Sequence, residues 1–373
     1  MSNPWLEYAM PGIRGLRPYE PGKPISELER ELGISDIVKL ASNENPLGPS
    51  PKAMAAAESV LAESALYPDG NAFALKRALA AYHGVEQDQI TVGSGSDHIL
   101  ELVARVFLGP GRSSVVSRYA FAIYNIVSQA ASSELRVAEA NPVDHAMPYG
   151  HDLAAMRELV DESTRVVFIA NPNNPTGTWV PRRELLAFLD GVSRNTVVLV
   201  DEAYFDFVHE PEYPNAAELL PDYPNLVVMR TFSKAFGLAG LRVGYALASR
   251  KLTDLINRVR LSFNPNSLAQ AAAAAALDDR EHLEETVAMT ARERARLDAG
   301  LRELGLSTIP SVCNFVTADV GRPGRDIFQA LLREGVIVRP LDGYGMPTHL
   351  RISVGLPEQN DRLLSAMKKV LAR

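Results

Sequence analysis

The chain has 373 residues, 46% of them hydrophobic and 22% charged, with a net charge of −7. This is ordinary globular composition on a chain too long for one compact core, which points to two domains and excludes a disordered or fibrous protein. No dense Lys/Arg block is present, so nucleic acid is not an expected partner. The single cysteine, Cys313, excludes an intrachain disulfide and a cysteine-based zinc cage, and no metal is expected. No apolar run approaches the roughly 20 residues of a membrane span, so no membrane association is expected. The start, Met1-Ser2-Asn3-Pro4-Trp5-Leu6-Glu7, lacks the basic and apolar regions of a signal peptide. A cytoplasmic protein is expected.

Residues 1–50 are punctuated by Pro4, Pro11, Gly12, Gly15, Pro18, Pro21, Gly22 and Pro24, then by Asn45-Pro46-Leu47-Gly48-Pro49. Such a segment makes extended arms and turns. From residue 90 short aliphatic runs alternate with helical stretches, and strands are predicted at 90–92, 114–116, 166–170, 197–200, 226–229 and 243–246. Several are apolar throughout, as in a parallel sheet covered on both faces. Ile99, Leu102, Val103 and Val106 follow the first run at helical spacing, and Gly109-Pro110-Gly111 stops that helix. The pattern is α/β with a mostly parallel central sheet.

Beyond residue 268 the alanine run 271–276 favours helix. Leu283, Val287, Ala291, Leu297, Leu301 and Leu304 then share one helical stripe, closed by Gly305. Apolar runs at 314–318, 335–338 and 350–354 and a last helix near 361–371 make a smaller α+β domain. The expected division is an arm, 1–45, joining the small domain; a large domain, 46–267; and a small C-terminal domain, 268–373.

Ligands of open α/β sheets sit beyond the carboxyl ends of the strands. After the first strand comes Gly93-Ser94-Gly95-Ser96-Asp97 and a helix. Its first-turn amides and dipole suit an anion such as phosphate, and the plainer reading is a turn capped by Ser96 or Asp97. After the third comes Asn171-Pro172-Asn173-Asn174-Pro175-Thr176-Gly177, where two prolines make a rigid turn that can present Asn174 as a donor. Asn171 and Asn173 read as turn residues. The fourth strand ends in Asp201-Glu202-Ala203-Tyr204. An acidic strand end also suits a nucleotide hydrolase, but the chain has no Gly-Lys-Ser/Thr loop, so the alternative is an Asp facing a cationic ligand atom. After the fifth, Ser233 and Lys234 stand among small and aromatic residues, with Arg242 eight positions on. A desolvated, cation-flanked lysine is a nucleophile with a depressed pKa.

One ligand asks for this whole set: pyridoxal 5′-phosphate. Its phosphate suits the helix N-terminus and Arg242, its aldehyde Lys234, its ring nitrogen Asp201, and its phenolate oxygen Asn174 and Tyr204.

The motifs Asn174-Pro175-Thr176-Gly177, Asp201-Glu202-Ala203-Tyr204, the run from Ser233 to Arg242, and Leu350-Arg351-Ile352-Ser353-Val354-Gly355 resemble the fold-type I pyridoxal-phosphate aminotransferases over nearly the whole chain. Asn43-Glu44-Asn45-Pro46 and Tyr67-Pro68-Asp69-Gly70 resemble the histidinol-phosphate branch of that family. The resemblance implies a homodimer with shared sites. Its substrates would be an amino donor and a 2-oxo acid acceptor: L-histidinol phosphate and 2-oxoglutarate, in histidine biosynthesis.

It also implies roles by position. Lys234 would carry the cofactor and shuttle the Cα proton. Asp201 would pair with the pyridine nitrogen, and Asn174 and Tyr204 would bind the phenolate oxygen. Ser96, Asp97, Ser233 and Arg242 would surround the phosphate, with Tyr67 reaching in from the other subunit. Arg351 would hold a carboxylate, and Arg339 and Tyr19 the distal phosphate, with Asn43 also on the substrate side. Tyr119-Ala120-Phe121 stands where the family usually has Pro-Thr-aromatic, so Phe121 would stack on the cofactor without a tyrosine's hydroxyl. The alternatives on the same scaffold are an aromatic amino acid aminotransferase, a phosphothreonine-type decarboxylase, and a non-catalytic cofactor-binding regulatory domain.

Overall fold

The computed structural model describes residues 3–19 and 22–372; Met1, Ser2, Glu20, Pro21 and Arg373 lie outside the described residues. Its centre is a seven-stranded sheet. From one edge to the other the strands are Ile90–Gly93, Gly244–Ala248, Leu226–Thr231, Val197–Asp201, Thr164–Ala170, Ser113–Ser117 and Glu134–Ala138. All pairings are parallel except the two made by Gly244–Ala248, which runs antiparallel to both neighbours.

The central strands carry long apolar runs because each face of the sheet has its own core. Val167, Ile169, Val198 and Val200 pack on one side, whereas Val166, Phe168, Ala170 and Leu199 pack on the other. The outermost strand, Glu134–Ala138, was not expected from the sequence. It is an edge strand with partly exposed, polar positions, so it lacks the continuous apolar run of its neighbours.

The C-terminal part builds a four-stranded antiparallel sheet from Arg339–Pro340, His349–Ser353, Phe315–Asp319 and Ser307–Ile309. The helices Arg280–Glu303, Gly324–Arg333 and Pro357–Leu371 cover it. Gly305 lies just past the first of these, in the left-handed region expected of a terminator. The short strand Val38–Lys39 pairs in parallel with Val336–Ile337, tying the N-terminal segment to this part. Ser267–Leu277 instead packs its alanines into the core of the seven-stranded sheet, so we place the division between the two parts near residue 278 rather than at 267. Among the described residues no helix is long and apolar enough to cross a membrane, and no cluster of His, Cys, Asp or Glu is placed to hold a metal ion.

One buried ion pair pins the strand end that carries Asp201. Glu202 accepts from Arg230 on the next strand through Nε at 2.9 Å and Nη2 at 2.8 Å, and its other oxygen accepts from the Ala216 amide at 2.9 Å. Both side chains are out of solvent, and the guanidinium lies on the Phe205 ring at 3.5 Å. Arg230→Met, which strands Glu202, should cost about 3–5 kcal/mol in urea unfolding. Removing the exposed Arg258–Asp254 pair should cost at most about 1 kcal/mol.

Candidate active site

A cleft of about 260 Å³ opens where the carboxyl ends of the parallel strands meet the antiparallel sheet. Asn174, Asp201, Tyr204, Ser233 and Lys234 reach it from the loops and ends of successive strands. Arg242 arrives differently. It precedes a strand rather than following one, but that strand runs antiparallel, so its start lies beside the end of the first strand, with Gly93 paired to Gly244. Reversal of one strand therefore brings Arg242 to the same sheet end as Ser96 and Asp97. Phe121 lines the cleft as well, and the arm and the smaller part supply Tyr19, Asn43, Arg339 and Arg351. Tyr67 is not brought in: it is 81% exposed and stacks on Phe263 at 4.4 Å.

The turn at Ser94–Ser96 is shaped for close approach. Gly95 is in the left-handed region at φ 82°, and a Cβ there would collide with the Arg242 guanidinium. A Cβ on Gly244 would stand 2.6 Å from the Ser96 amide nitrogen. The helix Ser96–Phe107 is capped by Gly95 with no side-chain bond, so neither Ser96 nor Asp97 is its N-cap. A capping side chain would occupy the first-turn amides, which here face the cleft mouth free of one. The Asp97 carboxylate pairs with Arg242 at 3.7 Å, so an anion would meet its amide rather than its side chain. Arg242 also donates to Ser233 Oγ at 3.4 Å and is itself left-handed at φ 58°, a conformation that costs a non-glycine residue about 1–2 kcal/mol.

Lys234 donates to the Ser42 carbonyl at 3.3 Å, and burial, aided by the charge of Arg351, lowers its pKa to about 8. Asp201 sits deep in the cleft. Burial raises its carboxyl to about 6, against the pull of two hydrogen bonds: Tyr124 donates to Oδ2 at 2.6 Å and the Ala203 amide to Oδ1 at 3.0 Å. Tyr124 was missed in the sequence. A signal existed: it stands three residues after Phe121, on the same face of the helix Ala122–Ala130.

On the opposite wall Arg351 donates to Asn174 Oδ1 at 2.5 Å and to the Ala41 carbonyl at 2.8 Å. Arginine only donates, so this contact makes Oδ1 the acceptor and leaves the Asn174 amide nitrogen as a donor. Asn43 donates to the Tyr204 hydroxyl at 2.9 Å and accepts from Ser353 Oγ at 2.9 Å, so its side chain acts through Tyr204. Arg339 and Arg351 are direct partners across antiparallel strands and so share one face. The Arg339 guanidinium lies 5.7 Å from the Tyr19 ring centre, and Tyr19 meets Phe121 edge-on at 6.3 Å. Asn171 bonds Val180 through both its amide atoms, and Asn173 donates to the Tyr119 carbonyl at 3.0 Å, which keeps both in the turn.

A family model described as aminotransferase class I and II matches residues 35–367. The chain belongs to the class I and II aminotransferases. This aminotransferase is 55% identical to histidinol-phosphate aminotransferase 2 of Pseudomonas fluorescens, with all of both chains covered. It is 54% identical to the protein of the same name from Methylococcus capsulatus, covering 97% of this chain and 98% of the other. Among solved structures it is similar to histidinol-phosphate aminotransferase from Sinorhizobium meliloti in complex with pyridoxal 5′-phosphate. That similarity has a TM-score of 0.87 and 29% identity over 97% of each chain. The fold is that of the family: a large, mostly parallel sheet with a smaller α+β part.

Proposed function

We propose that this aminotransferase interconverts L-histidinol phosphate and 2-oxoglutarate with imidazole-acetol phosphate and L-glutamate, using pyridoxal 5′-phosphate. One observation carries the reading: Lys234 with its lowered pKa, Asp201 and Arg242 line a single cleft in a chain with this kinship. The site fits the cofactor. Asp201 is a buried carboxylate whose hydrogen-bond donors, Tyr124 and the Ala203 amide, are both neutral, so a cationic ring nitrogen supplies the missing charge. The cradle at Gly95 and Gly244 is closed to any Cβ, which suits close approach of a phosphate to backbone amides.

In this reading Lys234 would hold the cofactor's aldehyde carbon and Asp201 its ring nitrogen. The Asn174 amide and the Tyr204 hydroxyl would hold the phenolate oxygen. Arg242, Ser233, Ser96 and the Asp97 amide would hold the phosphate, and Phe121 would pack against the ring. When bound, the cofactor supplies an aldehyde that condenses with amines and a protonated ring that draws electron density from the substrate's Cα. Lys234 does the proton work: with a pKa near 8 it is partly neutral at physiological pH and can take a proton from Cα and return it. Arg351 orients the carboxylate of glutamate or 2-oxoglutarate, and Arg339 with Tyr19 receives the distal phosphate. The register sets these two cationic residues opposite each other on one face of the site, which suits an anionic substrate. Charged, phosphorylated reactants cross membranes poorly, and we infer a cytoplasmic location on that ground.

The test of the reading is selectivity. The unaltered protein should turn over histidinol phosphate faster than phenylalanine. Arg339→Ala should lower kcat/KM for histidinol phosphate by about 1.5–3 kcal/mol, the range for a hydrogen bond to a charged group, and change phenylalanine turnover far less. Better turnover of phenylalanine by the unaltered protein would favour an aromatic aminotransferase. Release of CO₂ from phosphothreonine would favour the decarboxylase.

The reading includes a homodimer in which Tyr67 serves the other subunit's phosphate site. The support is its exposure, with Leu66 at 68% and Phe263 at 47% beside it. Mixing inactive Lys234→Ala chains with Tyr67→Ala chains should restore activity, because each hybrid carries one intact site. Verified hybrids without recovery would mean that each chain's site is self-contained.

A further inference from the structure

We propose that Tyr124 is the positioning residue for Asp201, holding its carboxylate in the orientation and charge state that a cationic ring nitrogen requires. The inference rests on pyridoxal 5′-phosphate being the cofactor. Three observations carry it. The Tyr124 hydroxyl donates to Asp201 Oδ2 at 2.6 Å while the Ala203 amide donates to Oδ1 at 3.0 Å, so each oxygen has one donor and the carboxylate plane is fixed. The phenol ring is itself immobile: it is fully buried, stacked on Phe168 at 5.0 Å with 6° between planes, and met edge-on by Phe121 at 5.8 Å. Phe121 also lines the cleft, so one tyrosine braces both the Asp201 carboxylate and an aromatic wall of the site.

The charges around Asp201 show why a donor is needed. Burial, Asp97 on the adjoining helix and the neighbouring Glu202 all favour the neutral acid. The phenol of Tyr204 also lies close enough to interact with it. The Tyr124 hydroxyl and the Ala203 amide oppose them. Burial holds Tyr124 in its protonated form, so it donates and does not accept a proton from the acid. Without its hydroxyl Asp201 becomes neutral over a wider pH range and ceases to be a partner for a cation.

The experiment titrates the full-length protein, freed of cofactor, with pyridoxal 5′-phosphate between pH 5 and 9. It compares the unaltered chain, Tyr124→Phe, Asp201→Asn and the double variant. Tyr124→Phe should weaken binding about 10–150-fold at pH 7 and move the pH midpoint of binding upward. On the Asp201→Asn background the same change should alter affinity by less than about 3-fold, because the group it acts through has gone. In the loaded enzyme kcat should fall while KM for the amino donor holds. Equal losses on both backgrounds, or no loss on either, would overturn the proposal and leave Tyr124 a packing residue. If Tyr124→Phe does not fold, 3-fluorotyrosine at position 124, a stronger donor, should move the midpoint downward, and an unmoved midpoint overturns it. Failure of the unaltered protein to bind pyridoxal 5′-phosphate would be a different result, striking the cofactor reading itself.

Discussion

Replacing Lys234 by alanine is expected to lower the transamination rate by about 10⁴-fold or more. Loss of a positioned acid–base group accounts for roughly 10²–10⁴ of this, and loss of the covalent tether adds to it. The side chain sits where its amine is desolvated and faces Arg351, so it is neutral at a pH where an exposed lysine is not. Uptake of pyridoxal 5′-phosphate by the cofactor-free protein should therefore accelerate through about pH 8 rather than above pH 10. Borohydride reduction of the loaded protein and peptide mapping should place the pyridoxyl group on Lys234. A label on another lysine, or an active Lys234→Ala enzyme, would remove the assignment. Circular dichroism of the variant separates lost chemistry from lost fold.

Asp201→Asn is expected to lower kcat by about 10²–10⁴-fold, the equivalent of breaking a buried charge pair worth roughly 3–5 kcal/mol. The amide oxygen can still accept from the Ala203 amide while its NH2 faces the Tyr124 hydroxyl, which can turn to accept, so the cleft should keep its shape while the ring nitrogen loses its counter-charge. Full turnover by this variant would show that another group protonates the ring. The same substitution has a stability signature in the cofactor-free protein. The carboxyl titrates near 6 when folded and at 3.8 in its ordinary state. The folded chain thus binds the proton more tightly, and its stability falls as pH rises between those values and stays low above them. Asparagine removes that loss. Cofactor-free Asp201→Asn should melt higher than the unaltered protein above pH 6, and the difference should shrink toward pH 4. A constant difference across that range would mean that the gain comes from packing. A site residue that destabilises the empty fold is what function at a buried charge requires.

The central strands and the residues that follow them were readable directly. Strands such as Thr164–Ala170 and Val197–Asp201 are covered on both faces, so residues 166–170 and 197–200 are apolar throughout and the runs stand out from their flanks. Asn174, Asp201 and Lys234 stand at or just beyond such runs, where the sheet end leaves room for a ligand. The edge strand Glu134–Ala138 and the short strand Ser307–Ile309 were not readable, because one side of each faces solvent and tolerates polar residues. The helix Gly324–Arg333 is amphipathic, with Ile327, Leu331 and Leu332 on its buried face.

What the sequence determined by itself was the inventory: an α/β core, the polar groups at its strand ends, and a motif set that resembles one family. What only the tertiary structure decided was which groups meet. Arg242 joins the first-turn amides because its strand is reversed, and Arg339 faces Arg351 because of antiparallel register. Tyr124, which in the sequence is an aromatic residue on an amphipathic helix, becomes the donor to Asp201 only when that helix packs against the sheet. Local chemistry is written in residue order because each side chain's type and its strand's burial are local properties. Partnership is not, because strand direction, register and helix docking are settled by how the whole chain buries its apolar surface.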